Sequence, residues 1–457
     1  MSIGEEQGRE NRMQGADTIY ALASGRGRAG IAVVRLSGPA VRDSLCALGG
    51  RVPAPRRATR MTLRDPASAE PLDEALVLFF PGPRSFTGED VAELHLHGGP
   101  AVVAGVLEAL SRRPGLRGAE AGEFARRAFS NGKLDLTEVE GLADLIEAET
   151  RAQRLQALRQ CGGALGALYD GWREALISAL ACVEAALDFS DEADVPERVA
   201  AEAGPLVRGV REEMQRHLDD ARRGERLREG LCVVLAGPPN AGKSSLLNAL
   251  AARDVAIVSE EPGTTRDILE VHLDLEGWPV TLLDTAGLRE AAGAVESEGI
   301  RRALERARSA DLVLWLIDPL EPVAEPPEAL AAGPAPLWRI VSKADLPPAR
   351  ALAREQAVAA VSARSGTGLD ALTARLSEFA GEADALSADP LLTRARHREE
   401  ITRAAGALDH FLAGDPGELE LRAEDLRCAA HALGRITGRV DVEDVLDRIF
   451  AEFCIGK

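Results

Sequence analysis

The chain has 457 residues, and its 54 basic and 73 acidic side chains give a net charge of −19 and a sequence pI near 5.0. This length is enough for two or three domains, and so acidic a chain is not suited to general nucleic-acid binding, so any RNA contact must be local or shared with a partner. The six cysteines lack disulfide or zinc spacing and no apolar run reaches membrane-spanning length, so we expect a cytoplasmic protein that crosses no membrane.

The N-terminal segment, residues 1–133, is predicted to fold as an α+β domain. Apolar runs at 31–36 and 75–80 and an alternating run at 91–97 each end in a turn rich in glycine and proline. Such runs bounded by turn residues are typical of strands, and the stretches between them allow short helices.

Residues 134–224 and 386–457 have helical spacing, and we predict that they form one helical domain. A stripe of large apolar residues, interpreted as bundle core, comprises Leu155, Leu158, Leu165, Leu168, Trp172, Leu176, Leu180, Val183 and Leu187. Neither helical piece is long enough to bury much core alone, so the intervening segment 225–385 is predicted to be a domain inserted between them.

The inserted segment opens on a phosphate-binding motif. The run 231–236 leads into Gly237-Pro238-Pro239-Asn240-Ala241-Gly242-Lys243-Ser244, which fits G-x-x-x-x-G-K-[ST], and a helical pattern follows. The glycines let backbone amides face phosphate oxygens, beside a positive helix N-terminus. Lys243 is expected at the β- and γ-phosphates, and the Ser244 hydroxyl on Mg²⁺.

Four further motifs follow in order, and together they indicate a GTPase on a doubly wound α/β sheet. They are Gly263-Thr264-Thr265-Arg266-Asp267, Asp284-Thr285-Ala286-Gly287, Ser342-Lys343-Ala344-Asp345 and Ser362-Ala363. Strands are predicted at 268–275, 280–284, 311–318, 338–343 and 358–362. The Asp345 carboxylate can accept two N–H donors of guanine, a pair that adenine lacks, so we expect GTP to be selected over ATP.

Two groups found in other GTPases are missing from this sequence. Ras-type proteins place a water-orienting Gln after the Asp-Thr-Ala-Gly motif, whereas this chain has Leu288. An arginine finger is not evident either. Some other group must orient the water and offset the charge of the transition state.

Nearly the whole chain, from Asp17 to Lys457, resembles the MnmE (TrmE) family of tRNA modification GTPases, within the TrmE-Era-EngA-like group. The motifs that carry the resemblance, besides those of the GTPase, are Ser85-Phe86-Thr87-Gly88-Glu89-Asp90, His97-Gly98-Gly99-Pro100 and the terminal Cys454-Ile455-Gly456-Lys457. The resemblance implies a homodimer that works with the flavin-dependent protein MnmG on tRNA. It also implies that the pair installs a carboxymethylaminomethyl or aminomethyl group at C5 of the wobble uridine.

The resemblance also implies site residues for GTP and metal ions. In the family two G domains meet across K⁺, and hydrolysis follows. The implied K⁺ ligands are Asn240, Ser259, Glu261 and Thr264, and the implied Mg²⁺ ligands are Ser244 and Thr265. GTP contacts map to Asn240, Ala241, Gly242, Lys243, Ser244, Ser245, Ser259, Glu260, Glu261, Pro262, Gly263, Thr264, Thr265, Asp284, Thr285, Ala286, Gly287, Ser342, Lys343, Asp345, Ser362 and Ala363.

Catalytic roles are implied for Glu296, which would orient the water, and for Arg289, Asn240 and Cys454. The N-terminal domain resembles the folate-binding fold of aminomethyl-transfer proteins, so 5-formyltetrahydrofolate or another one-carbon tetrahydrofolate is expected. Its contacts map to Arg35, Glu93, Lys133 and Lys457. A glutamate can accept pterin N–H donors, and a cation can bind the carboxylates of the glutamate tail.

The chain departs from the family pattern at Ser342, where the family usually has Asn, and this weakens a contact to the base or to the phosphate loop. Two arginine groups, at 222–228 and 394–398, are interpreted as solvated helix faces rather than RNA-binding patches. Two other functions remain open. One is a regulatory GTPase that binds ribosomes or RNA, and the other is a folate aminomethyltransferase fused to a nucleotide switch.

Overall fold

The computed structural model describes most of the chain, and every structural statement below concerns the described residues. They are residues 17–188, 195–219, 223–253, 255–257, 270–284, 310–321, 325–347, 349, 358–381, 391–415, 417–440, 443–451, 453 and 455–456. The chain divides into two compact units, one formed by 1–143 with 434–457 and the other by 144–433. Each unit is described by itself.

The first unit is built on a six-stranded sheet in the order β3-β4-β5-β2-β1-β6. The strands are β1 Thr18–Leu22, β2 Ile31–Ser37, β3 Thr59–Arg64, β4 Pro71–Phe80, β5 Val91–His97 and β6 Leu116–Gly118. All pairings are antiparallel except β1 with β6. Alternation decides the faces: in β2, Val34 and Leu36 are buried whereas Arg35 is half-buried on the opposite side.

Helices lie on both faces of this sheet: Leu45 and Leu110 pack on the face of Val34, whereas Phe124 packs on the opposite face, with Ile19 and Ala21. The helices are α1 Val41–Gly49, α2 Pro100–Ser111, α3 Glu123–Ser130 and the start of α4 Leu136–Glu147. The C-terminal helix α14 Glu443–Ala451 belongs to the same unit, where Phe450 and Phe453 share a buried cluster with Leu136 and Val139. An isolated bridge joins Ala121 to Ile455.

The second unit contains a six-stranded sheet in the order β12-β11-β10-β7-β9-β8. The strands are β7 Leu231–Ala236, β8 Glu270–Leu275, β9 Trp278–Asp284, β10 Leu312–Ile317, β11 Leu337–Val341 and β12 Ala359–Ala360. Only β8 with β9 is antiparallel. The central strand β10 is buried at all six positions, as expected of a strand covered on both faces.

The remaining helices also lie in the second unit. They are α5 Arg151–Cys161, α6 Ala164–Asp188, α7 Val195–Leu218, α8 Arg223–Glu229, α9 Lys243–Ala251, α10 Glu328–Ala331, α11 Leu369–Gly381, α12 Ala395–Ala413 and α13 Leu419–Thr437, the last of which ends in the first unit. Helix α7 packs against α6 and α12. Within the described part of the chain, no helix is long and apolar enough to cross a bilayer.

The strands predicted in both sheets are confirmed within a few residues, but the single helical stripe is wrong at its N-terminal end. The stripe is split between α5 and α6 by Gly162 and Gly163, and Gly163 has a φ of 78°. Leu165, Trp172 and Val183 are buried as predicted. Leu158, on the first of the two helices, is 49% exposed and is not part of the bundle core.

Four members of the two arginine groups form ion pairs within the second unit. The pairs are Arg226–Asp311 (2.7 Å), Arg228–Asp144 (3.0 Å), Arg394–Asp144 (2.7 Å) and Arg398–Glu225 (2.8 Å). Arg394 is buried. These arginines join the helices α8 and α12 to neighbouring elements. The solvated-face interpretation is therefore wrong for Arg228, Arg394 and Arg398, whereas the Arg226 side chain is 41% exposed.

Candidate nucleotide-binding site

The phosphate loop connects β7 to α9, as the motif predicts. Three of its residues have positive φ: Gly237 at 147°, Asn240 at 63° and Gly242 at 91°. At Gly237 a Cβ atom would lie 2.7 Å from the carbonyl oxygen of Leu316 on the adjacent strand β10. Glycine is therefore required there both by the backbone angle and by the close approach of a second strand.

The side chains at the start of α9 are arranged to meet phosphate and a divalent cation. The Lys243 ammonium group donates to the carbonyl oxygens of Gly237 (2.8 Å) and Pro238 (2.9 Å), so its charge lies beside the loop. The Ser244 hydroxyl donates to Oδ2 of Asp284 at 2.6 Å. Asp284 ends strand β9 and is buried.

This pair of oxygen groups fits a magnesium ion. A hydroxyl and a carboxylate converge at a helix N-terminus, and Mg²⁺ binds through such hard oxygen donors while keeping several waters. Ser244 would be a direct ligand, and Asp284 would hold the surrounding water shell. When bound, the ion neutralises charge on the phosphate oxygens.

A cavity of about 370 Å³ lies at the ends of strands β10, β11 and β12. It is lined by Gly242, Ser245, Leu246, Leu320, Ser342, Lys343, Asp345, Leu346, Val361, Ser362, Ala363 and Arg364. The structure thus brings together the predicted base-recognition residues from two motifs that are separated along the chain. Because Gly242 lines the cavity, the cavity lies next to the phosphate loop.

Asp345 faces this cavity as an ionised, oriented carboxylate. The Ser362 hydroxyl donates to Asp345 Oδ1 at 2.7 Å. That bond, the backbone amide of Asp345 and the nearby positive charge of Arg364 lower the pKa of Asp345 despite a small opposing effect of desolvation. A carboxylate that remains charged at neutral pH can accept two adjacent N–H donors, which is the pattern on the edge of guanine.

Ser342 lies beside Gly242 of the phosphate loop, but its hydroxyl is directed to strand β10. Its hydroxyl donates to the carbonyl oxygen of Ile317 at 3.1 Å, and its backbone N–H donates to the same oxygen at 2.9 Å. The base-recognition loop is therefore attached to the end of β10 through this buried residue. The serine that replaces the usual Asn of the family therefore donates its hydroxyl to the end of β10.

Many of the predicted site residues lie outside the described part of the chain, and their placement stays a prediction. They are Ser259, Glu260, Glu261, Pro262, Gly263, Thr264, Thr265, Thr285, Ala286, Gly287, Arg289, Glu296, Cys454 and Lys457. Of the implied K⁺ ligands only Asn240 is described, and it is exposed at the outer turn of the phosphate loop.

The three described folate candidates of the first unit gather around the loop that contains Phe86. Arg35 pairs with Glu93 across strands β2 and β5 at 3.0 Å. The Arg35 guanidinium carbon lies 5.5 Å from the ring centroid of Phe86 and 5.7 Å from that of Phe124. A Cβ at Gly88 would lie 3.4 Å from the Lys133 side chain, so Lys133 borders the same loop.

Sequence reasoning missed several neighbours of these sites. His95 lies two positions along β5 from Glu93, with Nε2 3.4 Å from the second carboxylate oxygen, and Phe124 comes from a helix distant in sequence. At the nucleotide cavity, Leu320 and Arg364 were missed. The strict alternation of β5 was the one signal that placed His95 and Glu93 on the same face.

Comparisons with known proteins agree with these features. A family model described as the MnmE helical domain matches residues 136–454, and one described as the GTP-binding protein TrmE N-terminus matches residues 18–133. The tRNA modification GTPase MnmE of Parvibaculum lavamentivorans is 56% identical over 96% of this chain and 100% of its own length. The protein of the same name from Beijerinckia indica is 55% identical over 96% of each chain.

Among solved structures, Era from Aquifex aeolicus aligns at 19% identity over 49% of this chain and 99% of its own, with a TM-score of 0.26. So low a score supports no argument. The family models and the near full-length relatives, in contrast, cover both units. The chain belongs to the MnmE family of tRNA modification GTPases.

Proposed function

We propose that this chain is the GTP-hydrolysing subunit of a tRNA-modifying complex in the cytoplasm. It would install a carboxymethylaminomethyl or aminomethyl group at C5 of the wobble uridine, together with the flavin-dependent protein MnmG. The observation that carries the proposal is the guanine-type cavity beside a complete phosphate loop, in a chain whose family models match residues 18–133 and 136–454.

Charged and polar groups of the nucleotide site would stabilise the negative charge that develops during GTP hydrolysis. The Lys243 ammonium group would leave the loop carbonyls for the β- and γ-phosphates, and Ser244 with Asp284 would hold Mg²⁺, which would neutralise phosphate charge. The side-chain oxygen of Asn240 is a neutral acceptor, suited to K⁺ in place of an arginine finger. The water-orienting role is proposed for Glu296 because Leu288 has no polar group.

The first unit is proposed to bind 5-formyltetrahydrofolate at Arg35, Glu93 and Lys133, with Lys457. Glu93 would accept hydrogen bonds from the N–H groups of the pterin ring. Arg35 and the two lysines would bind the carboxylates of the glutamate tail of the folate. The geometry supports this role, because Arg35 is flanked by two aromatic rings and Glu93 stands beside it on the same sheet face.

Homodimerisation is also proposed for the first unit. Ile31 (63% exposed) and Leu76 (49% exposed) lie on the sheet face that carries Arg35 and Glu93, as the registers of β2, β4 and β5 require. We propose that a second copy of the chain packs on this face of the sheet.

The charge distribution supports a contact between the first unit and tRNA. Residues 17–133 carry 16 basic and 12 acidic side chains, a net of +4, although the whole chain has a net charge of −19. Phosphate contacts by Lys and Arg supply much of the affinity for nucleic acids.

The test is nucleoside mass spectrometry of tRNA from cells that lack the protein. We expect the wobble uridine to lose its C5 substituent and to regain it when the native gene is restored. A normal modification level in the deletion strain would contradict the proposal and favour a regulatory GTPase that binds RNA.

A further inference from the structure

Asp318 lies directly after strand β10 and contacts two loops of the guanine-type cavity. Its Oδ2 atom accepts from the Lys343 ammonium group at 2.5 Å, and its Oδ1 atom accepts from the Leu320 backbone N–H at 3.0 Å. The Asp318 side chain is 9% exposed, whereas that of Lys343 is 35% exposed. One carboxylate therefore connects the loop after β10 with the base-recognition loop after β11.

Both connected loops line the cavity. Leu320 is 62% exposed and contributes to one wall, and Lys343 and Asp345 contribute to another. The exposure of so large an apolar side chain at a pocket is explained if a flat ligand packs against it. The backbone of Lys343 has a φ of 52°, a strained value for a residue with a side chain, so other contacts must hold the loop in place.

The Asp318 carboxylate is held in its charged form. Burial raises its pKa, but the hydrogen bonds from Lys343 and the Leu320 amide outweigh burial, so the pKa lies below its usual value. The ion pair thus persists at neutral pH.

Ser342 makes this arrangement more important in the present chain. Its hydroxyl is directed to Ile317, the residue before Asp318, instead of to the phosphate loop. The base-recognition loop is consequently fixed to the end of β10 through Ile317 and Asp318.

We propose that Asp318 is a positioning residue for guanine recognition, acting through Lys343 and the loop that carries Asp345. The inference rests on the proposed use of GTP. Removing the charge at Asp318 frees Lys343 and lets the loop leave its strained conformation. Asp345 would accept hydrogen bonds from both the ring N–H and the exocyclic amino group of guanine. Displacing Asp345 should therefore weaken the binding of GDP more than the binding of IDP, which lacks that amino group.

The experiment compares Asp318→Asn with the native full-length chain by titrating fluorescent GDP and IDP and by measuring GTP turnover. We expect GDP affinity to fall about tenfold, the usual effect of losing a charge-assisted hydrogen bond. The ratio of GDP to IDP affinity should fall toward one, and KM for GTP should rise while kcat stays within about twofold of the native value. Asp318→Glu, which keeps the charge, should recover part of the affinity.

Two controls separate positioning from a general structural effect. Asp370→Asn removes an ion pair with Arg253 elsewhere in the second unit and should leave both affinities unchanged. Lys343→Met alone should lower the affinity for GDP. The double variant with Asp318→Asn should lose little further affinity, because the two residues act together.

An unchanged ratio of GDP to IDP affinity in Asp318→Asn, or full additivity with Lys343→Met, would overturn the inference. Loss of GDP and IDP binding in equal proportion would do so as well, since it indicates a smaller folded fraction. If the native chain itself fails to prefer GDP to ADP, the proposed function fails first.

Discussion

Gly237→Ala should separate nucleotide binding from folding, because this glycine meets two constraints at once. A φ of 147° costs a residue with a side chain about 1–3 kcal/mol. The new Cβ would lie 2.7 Å from the Leu316 carbonyl oxygen, well inside a normal carbon–oxygen contact of about 3.3 Å. Overpacking of this kind adds about 1–3 kcal/mol.

The total, about 2 kcal/mol at least, is relieved if the phosphate loop moves away from β10. The loop amides then no longer converge on phosphate, and we expect GDP affinity to fall by about thirtyfold or more. The assay is a fluorescent GDP titration accompanied by thermal unfolding. A matched control is Gly171→Ala within helix α6, where the added methyl meets no atom within 4 Å.

The control should keep native affinity and gain slightly in stability, because alanine favours a helix interior over glycine by about 1 kcal/mol. Native GDP affinity in Gly237→Ala, with an unchanged melting temperature, would show that the loop tolerates the methyl group and would refute the reasoning.

Three other predictions follow from the same structure. GTP turnover should be faster in KCl than in NaCl, and Asn240→Ala should abolish that difference; a K⁺ preference that survives the substitution would remove Asn240 from the ion site. Arg35→Ala should lose binding of 5-formyltetrahydrofolate in calorimetry while GTP turnover stays native, whereas retained binding would contradict the proposed folate site. Burial raises the pKa of Glu123, but hydrogen bonds from Arg117 and the Glu120 amide lower that pKa overall. The Glu123 carboxylate therefore stabilises the fold at a pH above its pKa in the unfolded chain, and this stabilisation is lost as the pH falls through its pKa in the folded chain. Glu123→Gln should therefore flatten the fall in stability below about pH 4.5 in acid unfolding followed by circular dichroism, and an unchanged profile would exclude this carboxylate as a cause.

Local patterns sufficed for the phosphate loop and for the strand ends that carry Asp284 and Asp345. In these motifs the chemistry and the backbone shape are encoded in adjacent residues, and the strand before each motif is mostly apolar. Asp318 could not be placed in the same way. Its contact with Lys343 depends on β10 and β11 being parallel neighbours, which the order of residues along the chain does not reveal.

The errors in the helical segments have a similar cause. The apolar spacing continues across Gly162 and Gly163, so periodicity alone showed one stripe where the chain forms two helices. The positions of Arg228 and Arg394 likewise depend on tertiary ion pairs, because both contact Asp144 although they are far apart in sequence. Charge runs report the composition of a segment but not its partners.

The most direct test of the account is reconstitution of the modification with purified components. Unmodified tRNA would be incubated with the full chain, its flavin-dependent partner, GTP, K⁺ and 5-formyltetrahydrofolate, and the nucleosides then analysed by mass. We predict that the C5 substituent forms with GTP and fails to form with a non-hydrolysable analogue or without the chain. Equal modification with the analogue, or none in the complete mixture, would contradict the proposal that hydrolysis by this chain supports modification of the wobble uridine.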